Sequence, residues 1–366
     1  MHVLHLAKRS LLTVAAAALA LTGCGDSGPD VPFNPAGTAG DLEAFNSTFE
    51  SSTFASFSTF SLMFDAALAP AVPVVSASAA ALDIRAANKE GMRAAAVRSA
   101  ERLSSVLAAG SKSGMSASMA AVPAAAVGKT FIYSGGEYVV SARTGAPANG
   151  VRFILYAVDP VTFAPVEPVV ETGYVDLIDL SSGSTSSARV RVVSGETEYL
   201  NYTVTVTNTS SGGRINVIGY ITDGTQQANL SLRAALTFTG GLTLTYGADV
   251  PTRDFSIDLT LTATGLDAEN ATIEVTMDVR GGNGWIQMTG QFDQAGGTLS
   301  VSVSGHHFAT ITQVGAGAPV ITGTEGQPLT DDDIIALEGI FYITNGAFAA
   351  FDQLFLPVGA FITPEA

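Results

Sequence analysis

The chain has 366 residues, with 33 acidic against 17 basic side chains and a formal net charge of −16. That balance argues against DNA or RNA as a partner, because phosphate neutralisation by Lys and Arg supplies most nucleic-acid affinity, and it leaves little attraction for anionic lipid head groups. A single cysteine, Cys24, excludes an intramolecular disulfide and a thiolate metal site, while 47% hydrophobic residues suffice for a large core in one large domain or two.

The N-terminal nine residues, MHVLHLAKR, carry Lys8 and Arg9 and no acid, and LLTVAAAALAL at 11–21 is apolar apart from one Thr. That run is shorter than the ~20 residues a spanning helix needs. A basic flank, a short apolar stretch and small residues at its end make a secretory signal. Leu21-Thr22-Gly23-Cys24 resembles the bacterial lipobox. The resemblance implies a signal peptide over 1–23, cleavage before Cys24, and diacylglycerol on the Cys24 sulfur, usually followed by N-acylation. The chain would then be a lipoprotein of the bacterial cell envelope, meeting the membrane through acyl chains that each contribute ~0.8 kcal/mol per buried CH₂. Gly25, rather than Asp, follows the cysteine, as in enteric lipoproteins sent to the outer membrane. The adjoining GDSGP is similar to the segment around a chymotrypsin-like nucleophile, but Ser27 would need a histidine base earlier in the chain. Only His2 and His5 precede it, and cleavage removes both.

Residues 24–40 are rich in Gly, Pro and Asp and form a flexible tether. In the next segment, 41–128, the stretch 41–66 is Phe-rich. Leu42, Phe45, Phe49, Phe57, Phe60, Met63 and Phe64 share a helical stripe with Phe54 at its edge, which predicts an amphipathic helix. Ala, Ser and Pro dominate 67–128. Within them, 83–108 has helical character and carries Arg85, Lys89, Arg93, Arg98 and Arg102, a pattern most simply a solvated face.

From 129 to 314 the period becomes two. VRFILYAV at 151–158 is apolar on both faces and is expected at the centre of a sheet. Elsewhere apolar and polar residues alternate, as in Leu200, Tyr202, Val204 and Val206 against Asn201, Thr203, Thr205 and Thr207. Glycine pairs at 135–136, 212–213, 240–241, 281–282 and 296–297 separate the strands. The fold class is mainly β, with roughly twelve to fourteen antiparallel strands in a meander that forms a curved sheet, an open barrel or a sandwich. N-terminal and C-terminal helices pack against it. In the C-terminal segment, 315–366, Thr330 can cap a helix whose first turn holds Asp331, Asp332 and Asp333. Asn345-Gly346 is its expected stop.

Candidate chemistry is sparse. Adjacent His306 and His307 in a strand point to opposite faces and do not share a metal, and the alternation slips near Gly305 as at a bulge. Asp331–Asp333 lacks the spacing of a calcium loop, and Gly315-Ala316-Gly317 has Val320 where a third glycine belongs. Asp254, Asp258, Glu274 and Asp278 are surface acids unless two converge. Trp285, on the polar face of its strand, is a candidate surface contact. No catalytic residue, metal ligand or cofactor is expected.

These features point to a non-catalytic envelope lipoprotein whose β-domain binds an apolar ligand or a protein partner, with Phe45, Phe49, Phe57 and Phe60 as candidate ligand contacts. Helices against an incomplete barrel are similar to lipoprotein carriers of the LolA/LolB type, in architecture only. The simpler expectation for the same Phe residues is core. The alternative is a structural or adhesive surface scaffold without a ligand cavity. An envelope hydrolase or a membrane barrel has less support: no acid, base and nucleophile converge in the sequence, and aromatic girdles are lacking.

Overall fold

The computed structural model describes residues 33–49, 51–60, 120–159, 164–183, 185–209, 211–237, 239–265, 271–293, 295–314 and 319–341, with 354, 355 and 358. Cys24 and the expected signal peptide, most of the expected tether, Met63 and Phe64, the basic segment 83–108, Gly315–Gly317 and Asn345-Gly346 lie outside the described residues.

The Phe-rich segment forms two helices, not one. Helix α1, Pro35–Ser47, opens inside the stretch expected as tether, with Pro35 at its start and Asn34 Oδ1 accepting from the Gly37 amide at 3.1 Å. Its end follows from side chains that compete for backbone carbonyls. The Ser47 hydroxyl donates to Ala44 O at 2.9 Å, and the Thr48 hydroxyl to Phe45 O at 2.7 Å. Helix α2, Ser52–Phe60, restarts where Ser51 Oγ accepts from the Phe54 amide at 3.1 Å. The break turns Phe54 from the edge of the stripe into the core, where it is fully buried.

The strands are β1 Thr130–Ser134, β2 Glu137–Ser141, β3 Gly150–Tyr156, β4 Glu171–Asp179, β5 Thr185–Ser194, β6 Thr197–Thr209, β7 Gly212–Thr222, β8 Gln227–Thr237, β9 Gly241–Val250, β10 Phe255–Thr264, β11 Thr272–Gly281, β12 Gly284–Phe292, β13 Gly296–Val303, β14 His306–Val314 and β15 Val320–Gly323. Fourteen lie in the stretch expected to be β, and the short β15 follows it. They make a single sheet in the order β15 through β3, then β1 and β2. Neighbours are antiparallel except β1, which runs parallel to β3. The sheet does not close, and β2 and β15 are its edges. Two-residue turns drive the meander. Between β13 and β14, Ser304 and Gly305 have φ of 49° and 82°, as a turn matching strand twist requires.

β3 carries the doubly apolar VRFILY run, yet it sits beside β1 near one edge rather than at the centre. Its burial has local causes. Phe131 stacks on Phe153 with centroids 5.0 Å apart, and Tyr138 meets Phe153 edge-on at 5.4 Å. Among the outward-pointing side chains, Arg152 forms a bidentate pair with buried Asp176, both contacts at 2.7 Å, and lies 3.6 Å from the centre of the Tyr174 ring.

One sheet face, the inner one, holds the core. Alternate residues such as Leu200, Tyr202, Val217, Leu232, Leu244, Leu259, Val275, Met288 and Ile311 are buried there. Helices α1 and α2 cover it, joined by helix α3 at residues 331–341 and by buried Leu354, Phe355 and Val358. Thr330 caps α3 as expected. Its hydroxyl accepts from the Asp333 amide at 3.2 Å, and Asp333 Oδ2 accepts from the Thr330 amide at 2.8 Å.

Candidate functional site

The inner face is occupied by its own side chains. From β9 to β6 an unbroken series of rings runs Tyr246, Phe45, Phe49, Phe54, Phe57, Tyr202, with successive centroids 6.4, 5.4, 5.7, 6.3 and 6.3 Å apart. Phe45, Phe49 and Phe57 are exposed by only 1%, 2% and 0%. Phe60 ends α2, and its side chain lies outside the described residues. The Tyr202 hydroxyl donates to Leu354 O at 2.8 Å, and burial raises the pKa values of Tyr202 and Tyr246 well above the usual range. The aromatic stripe therefore packs the helices on the sheet.

The outer face bears the remaining candidates. Trp285 is half-buried, with its indole N–H donating to Asp278 Oδ1 at 2.9 Å and the Arg280 guanidinium 5.5 Å from the ring centre. Gln287 Nε2 donates to the same oxygen at 3.1 Å. Asp258 stands directly opposite Asp278 across β10 and β11, so two of the surface acids do share one spot. Asp254 instead occupies the β9–β10 turn at φ 49°. Among the described residues no three His, Cys, Asp or Glu side chains gather as a metal site would need. His306 and His307 are exposed, and His307 Nδ1 lies 3.1 Å from Ser300 Oγ. The bulge falls later than expected: Val301 pairs with Ala309 and Ser302 with His307, leaving Phe308 unpaired, and its ring meets Phe33 at 5.5 Å.

Toward β5–β8 the outer face changes sign. Glu198 accepts from Arg191 Nε, Asn201 Nδ2 and the Tyr220 hydroxyl at 2.6, 2.6 and 2.7 Å. Burial alone would raise its pKa, but the bonds from Tyr220, Asn201 and Arg191, with the Arg191 charge, outweigh it and hold the carboxyl below the usual range. Burial and then Glu198 push Tyr220 up to about 12. Beside this saturated network stand three exposed arginines, Arg189, Arg214 and Arg233. Arg189 Nε donates to Asn201 Oδ1 at 2.9 Å and Arg233 Nε to Asn216 Oδ1 at 3.1 Å. None of the three enters an ion pair among the described residues. Ile218, 60% exposed, lies among them.

Strand register aligns a second feature with these arginines. Thr205 of β6 faces Asn216 of β7, which faces Arg233 of β8, which faces Thr245 of β9. The same row continues through Thr260, Thr276, Thr289, Ser300 and Thr310 to Thr322 of β15. It holds no acid and no apolar side chain, and at ~4.8 Å per strand it runs about 40 Å across the sheet. Its sequence signal is the recurrence of Thr-apolar-Thr at 203–207, 243–245, 260–262 and 310–312, which a strand-by-strand search for reactive groups passes over.

Comparison with protein-family models, with curated proteins and with solved structures finds no match to this chain.

Proposed function

We propose that the protein is a non-catalytic, lipid-anchored envelope scaffold, held at the membrane through acyl chains on Cys24, whose sheet presents its polar outer face to a partner. The observation that carries this reading is the burial of Phe45, Phe49, Phe54 and Phe57 against the sheet. Residues that would line an apolar ligand cavity are engaged with one another and with Tyr246 and Tyr202. Helices that fill the inner face leave the outer face to act. The outer carboxylates Asp278 and Glu198 are engaged by neighbouring donors, which supports a binding rather than a catalytic surface.

The test is the stability of Phe49→Ala and Phe57→Ala. As core residues each costs about 3–5 kcal/mol, read from denaturant midpoints. If both variants keep wild-type stability while a lipid that co-purifies with the wild type is lost, the rings line a ligand site and the scaffold reading fails.

A further inference from the structure

We propose that the hydroxyl row and the arginines beside it form a binding track for an extended acidic polysaccharide. This rests on the scaffold reading and names the partner of the outer face.

Two observations specify the chemistry independently. The first is charge. On a chain of net −16, Arg189, Arg214 and Arg233 are exposed without carboxylate partners among the described residues, while Arg143, Arg152, Arg191, Arg253 and Arg280 are ion-paired. Unpaired guanidinium groups on one face are complementary to an anion, and their planar donor pairs match carboxylates. They sit on β5, β7 and β8, with Arg214 diagonal to Arg233 and Arg189 on the far side of Ile218. Neighbouring strands are ~4.8 Å apart, so the cluster spans several sugar lengths rather than one small ion.

The second is the row that leads away from the arginines. From Thr245 to Thr322 every position bears a hydroxyl and none is buried, with Ser300 Oγ beside His307 Nδ1 and Thr322 donating to Thr310 O. A ligand served by such a row is itself rich in hydroxyls and extended across the strands. The rigid sheet holds the row without ordering flexible side chains, since Thr has few rotamers to lose. Asp258 and Asp278 lie one row to one side and Glu274 one row to the other, so the track itself is free of acids. A chain carrying both carboxylates and hydroxyls meets both features and uses each row hydroxyl as donor and acceptor, whereas polyphosphate has no donor and can only accept from the row.

The test measures binding of the full chain, solubilised in detergent, to polygalacturonate, to a neutral glucan of similar length and to polyphosphate. Polygalacturonate should bind, weaken as salt rises from about 50 to 200 mM, and outcompete both other polymers. Combined Arg189→Gln, Arg214→Gln and Arg233→Gln should lower its affinity about tenfold or more. Combined Thr260→Val and Thr276→Val, which keeps strand propensity, should lower it several-fold at unchanged melting temperature. Equal binding of polyphosphate, or loss through arginine changes with none through threonine changes, overturns the glycan assignment. Absence of polygalacturonate binding overturns it too. The scaffold reading then still stands if Phe57→Ala is destabilised as expected and falls if it is not.

Discussion

Glu198 shows how a single carboxylate organises the outer face. Three donors converge on it, and its pKa lies below the ordinary carboxylate value of ~4.3. A depressed pKa makes ionised Glu198 stabilising above that ordinary value, and the contribution is lost as pH falls through the lower folded value. Glu198→Gln should therefore cost about 1 kcal/mol near neutrality. Its melting temperature should fall less steeply than the wild type's between about pH 5 and pH 3, the two curves converging in acid. Parallel curves over that range would remove the charge-based role. Trp285 behaves differently. Its polarity was legible from alternation, but its N–H bond to Asp278 required the pairing of β11 with β12, which sets Arg280 opposite Trp285 and Asp278 opposite Gln287.

At the scale of elements, the joint between α1 and the sheet turns carries the most specific polar contacts. Asp41 is buried in α1, accepting from Asn283 Nδ2 at 2.5 Å in the β11–β12 turn and from Arg253 Nη1 at 3.2 Å in the β9–β10 turn. Asn34 adds a bond from its own amide to Asn283 O at 2.9 Å. Removing this buried acceptor deletes both bonds that tie α1 to the turns, those from Asn283 and Arg253. Asp41→Ala should cost about 1–3 kcal/mol and raise amide exchange in residues 35–47 before the strands. Unchanged exchange there would mean that apolar packing alone docks the helix. The Phe stripe was legible as one helix because periodicity sees only spacing. The break at Thr48 depends on where Ser and Thr hydroxyls bond, which a stripe does not encode. β3 misled in the same way: continuous apolar character reads as a central strand, yet aromatic neighbours and the Arg152–Asp176 pair bury it near an edge.

Across the whole molecule, the meander was readable because strand alternation and glycine turns are local properties. Fourteen strands fall where the period of two runs, and the inner face follows from which alternate set is apolar. The outer face was not readable as a surface. Which hydroxyl meets which depends on turn lengths and on bulges after Leu155, Val192 and Val301, and a shift of one residue sends a side chain to the other face. The row from Thr205 to Thr322 thus exists only after all the registers are set. One face covered by helices while the other stays wet is the arrangement on which the proposed scaffold role rests. The most direct measurement is native mass spectrometry, with organic extraction, of the full chain, residues 1–23 included, expressed in a bacterial host and released by mild detergent. The expected result is a processed chain that begins at Cys24, carries only the mass of its acyl groups and holds no other lipid. A stoichiometric lipid that extraction removes, lost in Phe57→Ala, would contradict the filled inner face and return the protein to the carrier class.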